Sequence, residues 1–321
     1  MFLCLSPPDP VYTLAYGSRY ADGDASRSTI NAARNAEAKE ALEPVDNFLR
    51  DVSEMANKIY DPDLDKGVVA NCTMSHIATW ARANALADLQ SQTAKMTIGS
   101  RLASLGMVIL QIEPYAASQA DREIVKTWLA GLMERQMEFW ERDAPDGASQ
   151  GNLRAWSAMA GAAIAAYTND PVVRGWAAWS TNYILCTADA DGALPQEMSR
   201  GKLALHYQLH AIAPLTVSSV LLERQGVRIA GRCEDALRRV VSFAVNDLQT
   251  GQMTAQKAGR VQSFFDGSAQ IKAWNLAWLE AYLTLDNDRQ LDALAERYRP
   301  LGYSKLGGNQ TKIWNEMRRQ F

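Results

Sequence analysis

Ten stretches of this chain repeat apolar residues at three- and four-residue steps, and no run of five or more residues alternates as a half-buried strand would. The stretches cover residues 31–59, 71–90, 97–113, 121–142, 152–168, 171–187, 200–223, 230–248, 268–285 and 288–298. Each reads as an amphipathic helix, the first interrupted at Pro44, because proline lacks the amide donor a helix interior needs. Clusters of Gly, Pro, Asp and Asn separate them: DPDLDKG, DAPDGASQG, TNDP, DADGALP and LDND. Helices of similar length joined by short turns predict an all-α bundle, solenoid or toroid. No repeat of fixed period appears, which argues against an ordinary repeat array. No linker or shift in composition divides residues 1–321, so a single domain is expected.

Charge and motif content exclude several classes of function. The formal net charge is -3, so no global basic field draws in nucleic acid, and a polyanionic ligand would need a local basic cleft. No GxGxxG or P-loop is present, and the three histidines (His76, His206, His210) and four cysteines form no CxxC-type set, so no nucleotide or metal cofactor is expected. Cys4, Cys72, Cys186 and Cys233 suit one or two disulfides in an oxidising compartment, with the pairing open. No stretch of 18 apolar residues exists, so no membrane span is expected. Met1–Pro10 starts apolar but lacks a charged n-region and a full apolar h-region, and reads as the remainder of a removed or replaced export signal. The nine Trp and eleven Tyr suit either core packing or stacking on sugar rings.

Two segments carry chemistry. In DGALPQEMSRGKLALHYQLHAIAPL (191–215), Arg200 and Tyr207 are seven residues apart, two turns on one face if the segment is one helix. A cation beside a phenol favours phenolate and would lower the Tyr207 pKa. Lys202 adds a positive charge, and His206 and His210, four apart, either bind a ligand or pack. In GNLRAWSAM (151–159), Asn152 is either an N-cap or an amide donor for a ligand carboxylate, and Trp156 either stacks on a sugar or is core. Residues 17–29, GSRYADGDASRST, are polar and aperiodic, as a surface loop or a closing lid would be.

Taken together, GSRYADGDASRSTI, TWARANALA, GNLRAW, LPQEMSRGKLALHY and YRPLGYSKLGGNQT, in this order along nearly the whole chain, resemble the family-5 polysaccharide lyases, the periplasmic alginate (mannuronate) lyases. The resemblance implies an incomplete (α/α) toroid with a deep substrate cleft and an N-terminal lid loop within residues 1–30. It implies a periplasmic or secreted enzyme acting on an acidic polysaccharide. By motif position it puts a carboxylate-binding Asn and Arg on Asn152 and Arg200 and the proton-transfer Tyr on Tyr207. It assigns substrate contacts to Trp156, to Arg19 and Tyr20 of the lid, to His206 and Lys202, and to a late basic residue matched to Arg297. The chain departs from the family's Asn-Asn-His-x-Tyr-Trp motif at Gly151, Leu153 and Ala155. Leu153 cannot move a proton, so the motif histidine's role is absent or passes to a residue such as His206.

These parts imply β-elimination from a uronate. Neutralising the carboxylate makes the C5 proton removable, and one phenol can serve both proton and leaving oxygen when they lie on the same side, as in mannuronate or glucuronate. The expected activity is syn cleavage of such a polymer, leaving a 4,5-unsaturated uronate end and disfavouring guluronate. Two rivals are a non-catalytic exopolysaccharide-binding protein on the same scaffold and a helical glycoside hydrolase. The hydrolase would need a carboxyl pair, for which Glu197, Asp191 and Asp143 are available.

Overall fold

The computed structural model describes residues 2–319; Met1, the first residue of the apolar start expected to be the remainder of an export signal, lies outside them. Among the described residues the α-helices are, in order, α1 (Ala32–Ala56), α2 (Lys66–Arg82), α3 (Gln92–Thr97), α4 (Gly99–Ile112), α5 (Gln119–Arg142), α6 (Asp146–Ser149), α7 (Asn152–Thr168), α8 (Pro171–Leu185), α9 (Pro195–Met198), α10 (Ala204–Arg224), α11 (Arg232–Asp247), α12 (Gln252–Ala258), α13 (Leu279–Leu285), α14 (Arg289–Glu296) and α15 (Gln310–Arg319). Two short strands, β1 (Thr13–Leu14) and β2 (Asp88–Leu89), pair in parallel, and β3 (Gly302–Tyr303) and β4 (Gly308–Asn309) form a small antiparallel pair.

The helices form two layers. An inner row runs α1, α4, α7, α10, α13, each packed on the next, and α2, α5, α8 and α11 lie outside it. This is the incomplete α/α toroid. Inner helices must be apolar nearly all round, and α4 is buried at every residue but Leu110. Small residues let α4 and α7 approach closely: a Cβ at Gly99 would lie 2.2 Å from Ser157 Oγ, and one at Gly106 would lie 2.7 Å from Ala163 Cβ. The inner row leaves its helix ends around one cleft.

Differences from the expected elements have local causes. Pro44 does not break α1, which runs through it. Leu42, Val45, Phe48, Leu49 and Val52 are buried while Pro44 and Glu40 are exposed, so the Glu40 carbonyl that proline leaves unbonded faces water. The stretch 268–285 is helical only from Ala273, and α2 ends at Arg82, before left-handed Asn84 and Leu86. The disulfides pair Cys4 with Cys72 and Cys186 with Cys233. The first ties residues 2–10 to α2, where Leu5 O also contacts the His76 ring at 2.6 Å and Pro8 O accepts from Trp80 Nε1 at 3.1 Å. No helix among the described residues is long and apolar enough to cross a membrane.

Candidate active site

The cleft holds a cavity of about 440 Å³ bounded by the starts of α7 and α10, by α4, by the 17–29 loop and by the turn after β3. Asn152, Arg200 and Tyr207 all line it, as do Trp156, His206, Arg19 and Tyr20. Five cationic side chains (Arg19, Arg27, Arg101, Arg200, Lys305) face it, and no aspartate or glutamate is among the residues lining it. A chain of net charge -3 has thus gathered a basic pocket.

Arg200 and Tyr207 do not share a helix. Arg200 follows α9, the chain turns through Gly201 at φ +54°, and a single 3-10 turn, Gly201–Leu203, leads into α10. That turn folds the guanidinium back onto the ring, with Cζ 3.6 Å from the Tyr207 centroid and 5.1 Å from that of Tyr20. Arg200 Nε donates to Ser26 O at 3.1 Å and Nη2 to Arg27 O at 2.9 Å, so neutral loop carbonyls hold it directly, while the charge of buried Glu197 also acts on it. The Tyr20 and Tyr207 hydroxyls hydrogen-bond to each other.

The loop is built to hold this shape. Asp24 accepts from the Ser26 hydroxyl at 2.5 Å and from the backbone N–H groups of Ser26, Ser28 and Thr29 at 2.8–3.0 Å; the hydroxyl first, then the Thr29 and Ser28 N–H groups, hold its carboxyl well below the usual range. Arg34 pairs with Asp22 at 2.6 Å and also donates to Tyr20 O at 3.2 Å. The Tyr207 pKa is the reverse of what the sequence suggests. Burial raises it, more than Arg200 lowers it, and Tyr20 adds to the rise, so the phenol is neutral here.

Asn152 is the first residue of α7, not its cap, which is Gly151. Its backbone N–H and Nδ2 donate to the two oxygens of fully buried Glu197, at 2.7 and 2.9 Å. Trp156 is 2% exposed, so it offers no face to a sugar. Its Nε1 donates to His210 Nε2 at 3.0 Å, which fixes that imidazole as neutral with its proton on Nδ1. His206 stacks near-parallel on His210 at 6.2 Å and meets the Tyr207 ring edge-on at 5.0 Å. Burial first, then Arg200, lowers the His206 pKa to about 4. Leu153 lines the cleft and packs on the Met96, Phe139 and Trp140 cluster.

Two expected residues lie elsewhere. Lys202 lines a separate pocket with Asp24, Lys257 and Arg260, because the turn at Gly201 directs it away from the cleft. Arg297 is exposed at the end of α14. The late basic residue in the cleft is Lys305, eight positions on and just after β3, whose burial pushes its pKa down to about 7. Trp274 and Tyr303, their rings 5.3 Å apart, also line the cleft and open onto a second cavity of about 500 Å³. The carboxylates a hydrolase would need are engaged elsewhere: Glu197 on Asn152, Asp191 with Lys257 at 2.9 Å, and Asp143 outside the cleft.

A family model described as alginate lyase matches residues 15–254. The chain belongs to the alginate lyase family. The lyase is 27% identical to an alginate lyase of Pseudomonas syringae pv. syringae over 98% of its own length and 83% of that protein's. It is 27% identical to one of Pseudomonas putida, over 98% and 86% respectively. Its fold matches alginate lyase A1-III of Sphingomonas species A1 with a TM-score of 0.81 at 20% identity, over 96% of this chain and 85% of that one. A tyrosine-to-phenylalanine variant of A1-III complexed with a tetrasaccharide superposes with a TM-score of 0.83 at 20% identity, over 96% and 85%. Family membership makes the protein a polysaccharide lyase.

Proposed function

We propose that this lyase cleaves a mannuronate- or glucuronate-type polymer by syn β-elimination, with Tyr207 moving the proton. The observation that carries the reading is an Arg200 guanidinium stacked 3.6 Å over Tyr207 in a cleft lined by five cations and no carboxylate. That is a receptor for a sugar acid next to a proton-transfer group. The alginate-lyase names of its relatives and a tetrasaccharide-bound structural neighbour support the substrate class.

In this mechanism the uronate carboxylate takes the place of the loop carbonyls on Arg200, and the amide of Asn152 assists. Preorganised donors of this kind supply roughly 3–4 kcal/mol each to an oxyanion-like transition state. Polymer entry separates the Tyr20 and Tyr207 hydroxyls and so removes one influence that keeps the phenol protonated. Tyr207 as phenolate takes the C5 proton. The C5–H electrons form the C4=C5 double bond, and the C4–O4 bond breaks. Tyr207 then gives the same proton to O4, which restores the phenolate. His206, neutral at working pH, is placed beside Tyr207 to assist transfer.

Opposite-face elimination, as guluronate requires, needs a second proton-moving group away from Tyr207; His206 lies against Tyr207, and Leu153, at the motif histidine's position, offers none. The test is a panel of mannuronan, glucuronan, hyaluronan and polyguluronate, followed by ultraviolet absorbance of the unsaturated product. Preferential cleavage of polyguluronate overturns the specificity argument, and binding without any absorbance rise supports the non-catalytic alternative. Two disulfides and the family resemblance support a periplasmic or secreted location, where such bonds persist.

A further inference from the structure

We propose that the Asn152 carboxamide has two orientations selected by a proton on Glu197, and that protonated Glu197 turns the amide nitrogen toward the substrate. The proposal rests on the uronate reading above and deepens it. In the observed arrangement Oε1 of Glu197 accepts the Asn152 backbone N–H and Oε2 accepts Nδ2, so the carboxyl acts as a pure acceptor, as an ionised one does. The consequence falls on the other end of the amide: Asn152 Oδ1 is buried with no hydrogen-bond partner. A uronate carboxylate cannot satisfy that atom, because both are acceptors.

A proton on Glu197 resolves the mismatch. Its O–H donates to Oδ1 of the turned amide, the other carboxyl oxygen keeps the backbone N–H, and both Nδ2 hydrogens become available to the sugar acid. The site has room for little else. A Cβ at Gly151 would lie 2.9 Å from Glu197 Oε1 and 2.7 Å from Gln196 Cγ, so Gly151 is what lets the carboxyl reach the start of α7.

Both protonation states are accessible. Burial raises the Glu197 pKa to about 7, against the opposing effects of Arg200 and of the two Asn152 hydrogen bonds. The other charged side chain lining this small cavity is Arg27 of the loop. Glu197 touches no reacting atom and is a positioning residue. Binding a uronate would take up a proton from solvent, and no covalent bond to carbon changes.

The test measures proton uptake when a mannuronate oligomer binds, from the dependence of calorimetric enthalpy on buffer ionisation. It compares Tyr207→Phe, which blocks turnover, with Tyr207→Phe/Glu197→Gln. Glutamine donates to Oδ1 permanently, so it mimics the protonated acid. At about pH 7.5 the parent should take up about three-quarters of a proton more than the double variant, and its excess loss of affinity between about pH 6 and 8.5, about thirtyfold, should vanish with Glu197→Gln. Lys305 titrates in the same range but is present in both proteins, so the difference isolates Glu197. Equal uptake in the two variants overturns the proposal. A check independent of the variant is the side-chain amide resonance of Asn152 in the wild-type protein, assigned by its loss in Asn152→Ala. A resonance that does not move between pH 6 and about 8.5 likewise overturns it. If neither variant binds a polyuronate at any pH, the uronate reading fails, and this inference with it.

Discussion

Two arginines line the same cleft and differ in what holds them. Arg101, on α4, is 5% exposed and grips Asp46 of α1 with two bonds, Nε at 2.8 Å and Nη2 at 2.9 Å. Arg200 is held by two backbone carbonyls and the faces of two tyrosines. The first charge is cancelled at short range by a carboxylate. The second is held by dipoles, which orient a guanidinium without neutralising it, and the Glu197 carboxylate that acts on it through space has both its oxygens engaged by Asn152. A pocket that must bind a sugar acid can spend its structural arginine on an internal ion pair, but its working arginine has to keep its charge. The α1–α4 side therefore reads as framework, and the α7–α10 side as chemistry.

Tyr207→Phe tests that division most severely. It removes one oxygen from the working side, so turnover should fall by on the order of a thousandfold or more while melting temperature and polymer binding are kept. Full activity in Tyr207→Phe would move the chemistry to another group. Next in size is Arg200→Ala, with an expected loss of roughly a hundred- to a thousandfold in kcat/KM. Arg200→Lys should restore little of it, since an ammonium cannot bridge a carboxylate and lie flat on a ring as a guanidinium does. A full rescue by lysine would show that charge alone matters and that the stacked geometry is incidental.

How far these roles were legible follows from the same contrast. The helices came through because periodicity is local, and the Arg200–Tyr207 pair because its spacing is short. Even there the reason differed: the turn at Gly201, not one continuous helix, brings the two together. Trp156 was placed at the right cleft with two roles open, and only burial decides between a sugar platform and an anchor for His210. Arg297 and Lys305 look equivalent in sequence. The pairing of β3 with β4 carries Lys305 into the cavity and leaves Arg297 outside, and that is a tertiary fact. The disulfide partners, 68 and 47 residues apart, are equally non-local.

Lys305 sharpens the comparison through pH. Its pKa is lowered to about 7, first by burial and then by Arg101, while Asp46 works the other way. The cation is therefore present below about pH 7 and lost above it, and affinity for a polyanion should weaken as pH rises through that value. Tyr207 titrates in the opposite sense for catalysis: with its pKa raised, the phenolate fraction and kcat grow with pH. The two limbs should separate, KM rising and kcat rising together on the alkaline side. Lys305→Arg keeps its charge and should flatten the KM limb by about three- to tenfold near pH 8.5 without altering the kcat limb. An unchanged KM profile would take Lys305 out of substrate binding.

The smallest expected effect on activity belongs to Asp46→Asn, and it bears on the comparison most directly. The variant leaves one acceptor oxygen for Arg101 but removes its counter-charge. Since the Asp46 side chain is 41% exposed, water shares the cost, and a loss of about 1–3 kcal/mol is expected, a fall of a few degrees in melting temperature. The catalytic side should be spared, with kcat within about twofold of the parent. KM for the polymer should stay level or fall slightly, because the uncancelled Arg101 charge adds to the cleft's field even as Lys305, deprived of Asp46, gives up its proton more readily. If Asp46→Asn instead lowered kcat as Arg200→Ala does, the ion pair would be part of the chemistry, and the distinction between a cancelled and a retained charge would no longer separate the two walls of the cleft.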